Sequence, residues 1–152
     1  MKDNTTNIKD LLESGGKYVG MTSGVSMLPM IESGKDVVVI EKKVERLKPR
    51  DVALYMRRGK DYVLHRVLEV TEDGYIIRGD NCYSDEIVKE DEVIGVLTQY
   101  FKGEKPISMD DKKYLRYVDR RLRYYKIRRF FVLTFAKIKA IARRIIKGKS
   151  NE

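Results

Sequence analysis

Residues 62–70, YVLHRVLEV, alternate with period two: Tyr62, Leu64, Arg66 and Leu68 share one face, and Val63, His65, Val67 and Glu69 the other. That pattern predicts a strand. The following TEDGY, 71–75, predicts a hairpin turn at Asp73 and Gly74 that leads into a second strand, YIIRGD at 75–80. The same signal recurs in DVVVIEK from Asp36, DVALYM from Asp51 and EVIGVLTQYF from Glu92, all rich in Val, Ile and Tyr and separated by turn residues. Together they predict a compact, mainly antiparallel β domain over about residues 18–102.

Helical patterns flank this core. IKDLLESG, 8–15, reads as a short amphipathic helix stopped by Gly15 and Gly16, within a lead-in of residues 1–17. Gly103 and Pro106 in KGEKPIS act as breakers, and no Gly or Pro occurs between Ser108 and Lys147. Ser108, Asp110 and Asp111 suit a helix start, where carboxylates meet the positive end of the dipole. A helical tail over 108–149 is therefore expected.

Composition narrows the chemistry. A chain of 152 residues allows one ordinary domain with an appendage. Its single Cys82 excludes an internal disulfide framework and a multi-cysteine zinc site, and the lone His65 excludes a histidine cluster. The acidic residues between Glu69 and Glu92 lack calcium-loop spacing and read as a solvated surface, so neither metal nor cofactor is expected. The charged N-terminus carries no signal-peptide core, and no apolar run reaches the roughly 18 to 20 residues of a spanning helix. A cytoplasmic or peripherally membrane-associated protein is the expectation.

SGVSMLPMI, 23–31, has neither helix nor strand periodicity, yet it places Ser26 just before Pro29. A serine hydroxyl attacks well only when a base removes its proton, and His65 is the chain's one histidine. Taken singly, Ser26 reads as a turn hydroxyl and His65 as a packing residue. The order of blocks says more. SGVSMLPMIESGKDVVVIEK, LKPRDVALYM, LHRVLEV and YIIRGDNCYSDE, over about residues 20–100, resemble the signal peptidase and LexA-like serine peptidases. The likeness is greatest to the archaeal and endoplasmic-reticulum type, which has a histidine in place of the catalytic lysine.

By that resemblance the fold is the signal peptidase/LexA β domain followed by C-terminal helices. Ser26 matches the nucleophile, His65 the general base, and the segment Asp80 to Asp85 the source of the acid. Asp85 ranks first for orienting His65, Asp80 second, and Glu86 competes. Gly24, Val25, Met27 and Pro29 belong to the nucleophile loop, whose backbone N–H groups would face the oxyanion. The resemblance implies a serine endopeptidase that cleaves an extended segment of a precursor, signal- or leader-like, with small residues before the cut. Cys82 is a weaker rival nucleophile, because a thiolate needs a positive surrounding and Cys82 has acidic neighbours.

Two other classes stay open. One is a LexA-like self-cleaving regulator, opposed by the histidine base and by an N-terminus too short for a helix-turn-helix. The other is a noncatalytic module that works through its tail. Residues 112–149 hold 15 Lys or Arg against Asp119 alone, whereas the rest of the chain has 17 bases and 22 acids. Helical projection gathers Ile127, Phe130, Phe131, Thr134, Phe135, Ile138, Ile141, Ala142 and Ile145 on one face, mostly opposite Arg129, Lys139, Arg143, Arg144 and Lys147. Residues 127–147 thus suit packing on protein or an anionic membrane surface. Nucleic acid ranks below both, and the oligomeric state is open.

Overall fold

The computed structural model describes residues 7–149, excluding the side chains of Ala136 and 140–149. These residues fall into two compact units, one through Leu115 and the other from Arg116.

The first unit is a curled, eight-stranded antiparallel sheet, half of a barrel. Its strands are β1 (Tyr18–Met21), β2 (Val37–Lys42), β3 (Val52–Arg57), β4 (Asp61–Val70), β5 (Gly74–Arg78), β6 (Glu86–Lys89), β7 (Val93–Lys102) and β8 (Lys105–Ser108). They lie in the order β1-β2-β7-β3-β4-β5-β6, with β8 also paired to β7. β1 and β6 therefore end this path, and β8, paired with β7 alone among the described strands, is a further edge. Strand β4, where the sequence alternates most regularly, is central; Ala53 of β3 faces His65 across the ladder.

The alternation holds through Val67 and then slips. Val67 pairs with Ile77, but Glu69 pairs with Ile76, so Leu68 forms a bulge that bends the strand. In the core, Leu47, Ala53, Tyr55, Val67, Tyr75, Ile77, Val88 and Val93 pack together.

Helix α1 (Ile8–Glu13) is capped by the Asn7 side chain, which accepts from Lys9 N–H, and Gly15 at φ +85° ends it. Its Leu12 is 1% exposed, so α1 is packed rather than loose. The unit also extends past the expected boundary at 102. Gly103, at φ +61°, turns the chain back, and β8 pairs Pro106 with Phe101 instead of breaking off. A proline is tolerated there because β8 pairs β7 on one side only.

Helix α2 (Lys112–Arg123) is capped by Asp111, whose Oδ1 accepts from the N–H groups of Lys113 at 2.6 Å and Tyr114 at 3.3 Å. Ser108 instead ends β8. The second unit holds most of α2 together with α3 (Tyr125–Lys149). The side chains of Ile141, Ala142, Ile145, Arg143, Arg144 and Lys147 lie outside the described residues. No described helix is long and apolar enough to cross a membrane.

Candidate active site

Ser26 sits in the first turn after β1, where Gly24 takes φ +89° and Pro29 follows a cis peptide bond. Two groups of Asn81 hold this turn: its N–H donates to the Ser26 carbonyl at 2.7 Å, and its Nδ2 to the Val25 carbonyl at 3.2 Å. Met27, Met30 and Ile31 anchor it from below as buried side chains. Lys102 Nζ adds a bond to the Pro29 carbonyl at 3.4 Å. With its neighbours pinned, Ser26 remains half-buried at the surface of a cleft. Among the described residues, the N–H groups of Ser26 and Met27 make no hydrogen bond.

His65 is 3% exposed, and its two ring nitrogens face different partners. Nδ1 lies 3.2 Å from Glu86 Oε1 and 3.3 Å from the Tyr55 hydroxyl. Nε2 points to Gly79. A Cβ placed on that glycine would sit 2.9 Å from His65 Nε2, 2.7 Å from the Ser26 carbonyl oxygen and 2.9 Å from Cys82 Sγ. Glycine is required because the serine turn and the histidine close on this point from two sides.

The carboxylate at His65 is therefore that of Glu86, the first residue of β6. Its oxygens are fully engaged: Arg57 donates through Nε at 2.9 Å and through a terminal nitrogen at 2.6 Å, and Tyr55 donates at 3.0 Å. A carboxylate only accepts, so this contact suits the tautomer with its proton on Nδ1, whose lone pair is on Nε2, the nitrogen beside Gly79.

Burial pushes the His65 pKa down from its ordinary value; Arg57 adds to this, while Glu86 works against it. For Glu86, burial favours the neutral acid, but the hydrogen bonds from Arg57 and Tyr55 outweigh it and hold the carboxyl below the ordinary range. Neutral histidine and ionised glutamate coexist. Cys82 lines the same cleft, with its thiol pKa raised by burial first and by Glu86 second, which disfavours the thiolate.

Asp85 and Asp80, ranked first and second from the sequence for orienting His65, are both engaged elsewhere. Asp85 accepts from Arg78 at 2.8 Å. Asp80 is buried in a two-pronged pair with Arg66, both contacts 2.7 Å. Arg66 is itself fully buried and also donates to the Arg50 carbonyl at 2.9 Å, the Tyr114 hydroxyl at 2.8 Å and Met30 Sδ at 3.0 Å. Asp80 thus fixes the floor beneath the serine turn rather than the histidine. Charge matching explains this, since three neighbouring arginines each claim one acid.

Tyr55 and Arg57 had no place in the sequence reading. Strand alternation groups them on one face with Ala53, and the β3–β4 register sets that face opposite His65. Of the expected loop residues, Gly24 and Met27 line the cleft. Val25 is exposed, and Pro29 bonds only through its carbonyl to Lys102.

The cleft has a volume of about 1050 Å³ and runs from the β1 edge past Ser26 and His65 to Ile87 on the β6 edge. Among the described residues, the Ser26 hydroxyl makes no hydrogen bond to His65. No group of three or more described His, Cys, Asp or Glu side chains is placed to hold a metal ion. Comparison with known proteins finds no match among family models, curated proteins or solved structures.

Proposed function

We propose that this chain is a serine endopeptidase acting on an extended peptide segment, with Ser26 as nucleophile, His65 as general base and Glu86 as the acid that orients it. One observation carries the proposal: the buried imidazole has Nδ1 beside the Glu86 carboxylate and Nε2 beside Gly79, the point that the Ser26 carbonyl approaches from the other side. A histidine that served only packing would need one satisfied nitrogen, not a carboxylate held by both an arginine and a tyrosine.

In the proposed reaction, Ser26 Oγ adds to the scissile carbonyl carbon as His65 Nε2 takes its proton. The imidazolium, stabilised by Glu86, then gives that proton to the leaving amine. Water, deprotonated by the same nitrogen, hydrolyses the acyl-serine and restores the hydroxyl. The unengaged N–H groups of Ser26 and Met27 would be the donors to the developing oxyanion. Peptide binding is expected to bring hydroxyl and imidazole into contact, since catalytic hydrogen bonds often tighten only in the substrate complex.

An extended substrate fits the strand edges. Among the described residues β1 pairs only with β2, leaving its outer backbone groups to bond a peptide, and it leads directly into the serine turn. Val19, Met21 and Ile87 are exposed along the β1 and β6 edges, offering apolar contacts to alternate side chains of such a peptide.

The test is labelling of purified wild type, Ser26→Ala and His65→Ala with an acylating serine-peptidase probe, read by intact mass over about pH 5 to 9, a range that spans the ordinary histidine pKa. One label on Ser26, abolished by either substitution in folded protein, is expected. Labelling at Cys82 instead, or none in folded wild type together with no peptide cleavage, overturns the proposal.

A further inference from the structure

Helix α3 contains nine Lys or Arg and no Asp or Glu in its 25 residues. Its large apolar side chains are not hidden: Ile127, Phe130, Phe131, Phe135 and Ile138 are all more than half exposed. At 100° per residue these five occupy one arc of about 140°. Lys126, Arg129, Lys137 and Lys139 lie on the rest of the circumference and are also exposed, with Val132 and Leu133 between them. The sequence continues the division through Ile141, Ala142 and Ile145 on the apolar arc.

We infer that α3 is a membrane-surface helix that lies along an anionic lipid leaflet, its phenylalanines and isoleucines sunk below the headgroups and its bases paired with lipid phosphates and carboxylates. Charge and apolar exposure point to the same occupant. Nucleic acid would engage the bases but give no reason for three phenylalanines on the opposite arc. A neutral bilayer would accept the phenylalanines but offer no counter-charge to the exposed Lys126, Arg129, Lys137 and Lys139. An anionic bilayer satisfies both. The helix lies on the surface rather than across it, because it is not apolar enough to span. This assignment is independent of the chemistry at Ser26, and a catalytically dead chain is expected to bind equally.

The experiment is co-sedimentation of the full chain with phosphatidylcholine vesicles, with and without about 30% phosphatidylserine. Two variants accompany it: Phe131→Asp with Ile138→Asp on the apolar arc, and Lys137→Gln with Lys139→Gln on the basic arc. Circular dichroism establishes that each remains folded and helical. Binding to the anionic vesicles at least about tenfold tighter than to the neutral ones is expected, falling as salt rises from about 0.1 to 0.5 M. Each variant pair should weaken it by about tenfold or more, the basic pair without altering helix content. Equal binding to both vesicle types overturns the inference, as does failure to bind either. Vesicle binding that survives the apolar pair while duplex DNA binds as tightly reassigns the helix to polyanions in general. Self-association abolished by the apolar pair, without vesicle binding, assigns the face to a second copy of the chain.

Discussion

Gly79→Ala adds one methyl group at the point where the serine turn meets the histidine. That methyl would stand 2.7 Å from the Ser26 carbonyl oxygen and 2.9 Å from both His65 Nε2 and Cys82 Sγ, against roughly 3.5 to 4.0 Å for unstrained carbon contacts. The three neighbours yield unequally. Cys82 can rotate away, but the imidazole is held through Glu86 and Tyr55, and the Ser26 carbonyl accepts the Asn81 N–H. Relief therefore comes from the serine turn moving out by several tenths of an ångström to an ångström. Overpacking of this kind costs about 1 to 3 kcal/mol, which urea unfolding resolves as a lower midpoint at unchanged slope. Because a misplacement near 1 Å between reacting groups costs on the order of 100-fold, the rate of probe acylation per folded molecule should fall by about that factor. Wild-type stability with wild-type acylation would show that the two segments do not close on Gly79. Lost stability with an unchanged acylation rate would separate Ser26 from His65 and refute their working as a pair.

Glu86→Gln should lower acylation at neutral pH by on the order of 100-fold or more, because the amide neither fixes the imidazole tautomer nor stabilises the imidazolium. Glu86 acts to raise the His65 pKa, and its loss leaves burial, with Arg57 adding to it, opposed by Asp80 alone, so the acidic limb of the pH–rate profile should move to lower pH. A limb that stays in place, or moves up, removes Glu86 from its assigned role. Asp80→Asn should destabilise the fold by about 3 to 5 kcal/mol, since it leaves the Arg66 guanidinium buried without its counter-charge, whereas Asp85→Asn, whose side chain is 47% exposed, should cost under about 1 kcal/mol in the same unfolding assay.

The β architecture was legible because each main strand carries its own signal: Val- and Ile-rich runs, period-two alternation, and turn residues between them. β8 was hidden by Pro106, which ordinarily argues against a strand but is harmless on a strand paired on one side. β6 was hidden within DEIVKEDE, whose charges suit an exposed edge better than a core. Ser26 and His65 stood out as one hydroxyl before a proline and one histidine on a strand. The choice of acid could not be read the same way. Asp85 and Glu86 are sequence neighbours that point to different arginines, and which of them reaches His65 depends on where β6 begins. Arg57 and Tyr55 were invisible because their significance lies in the β3–β4 register, which brings Ala53 opposite His65.

The Tyr114 hydroxyl on Arg66 has a practical consequence for handling the β unit by itself. A shortened protein ending at 102, where the strand pattern fades, would discard β8 and deprive the buried guanidinium of one acceptor. Ending after Leu115 retains both, together with the Asp111 cap that begins α2. The position of that single phenol thus sets the smallest piece in which the serine turn keeps its support, since Arg66 holds both Asp80 and Met30 beneath it.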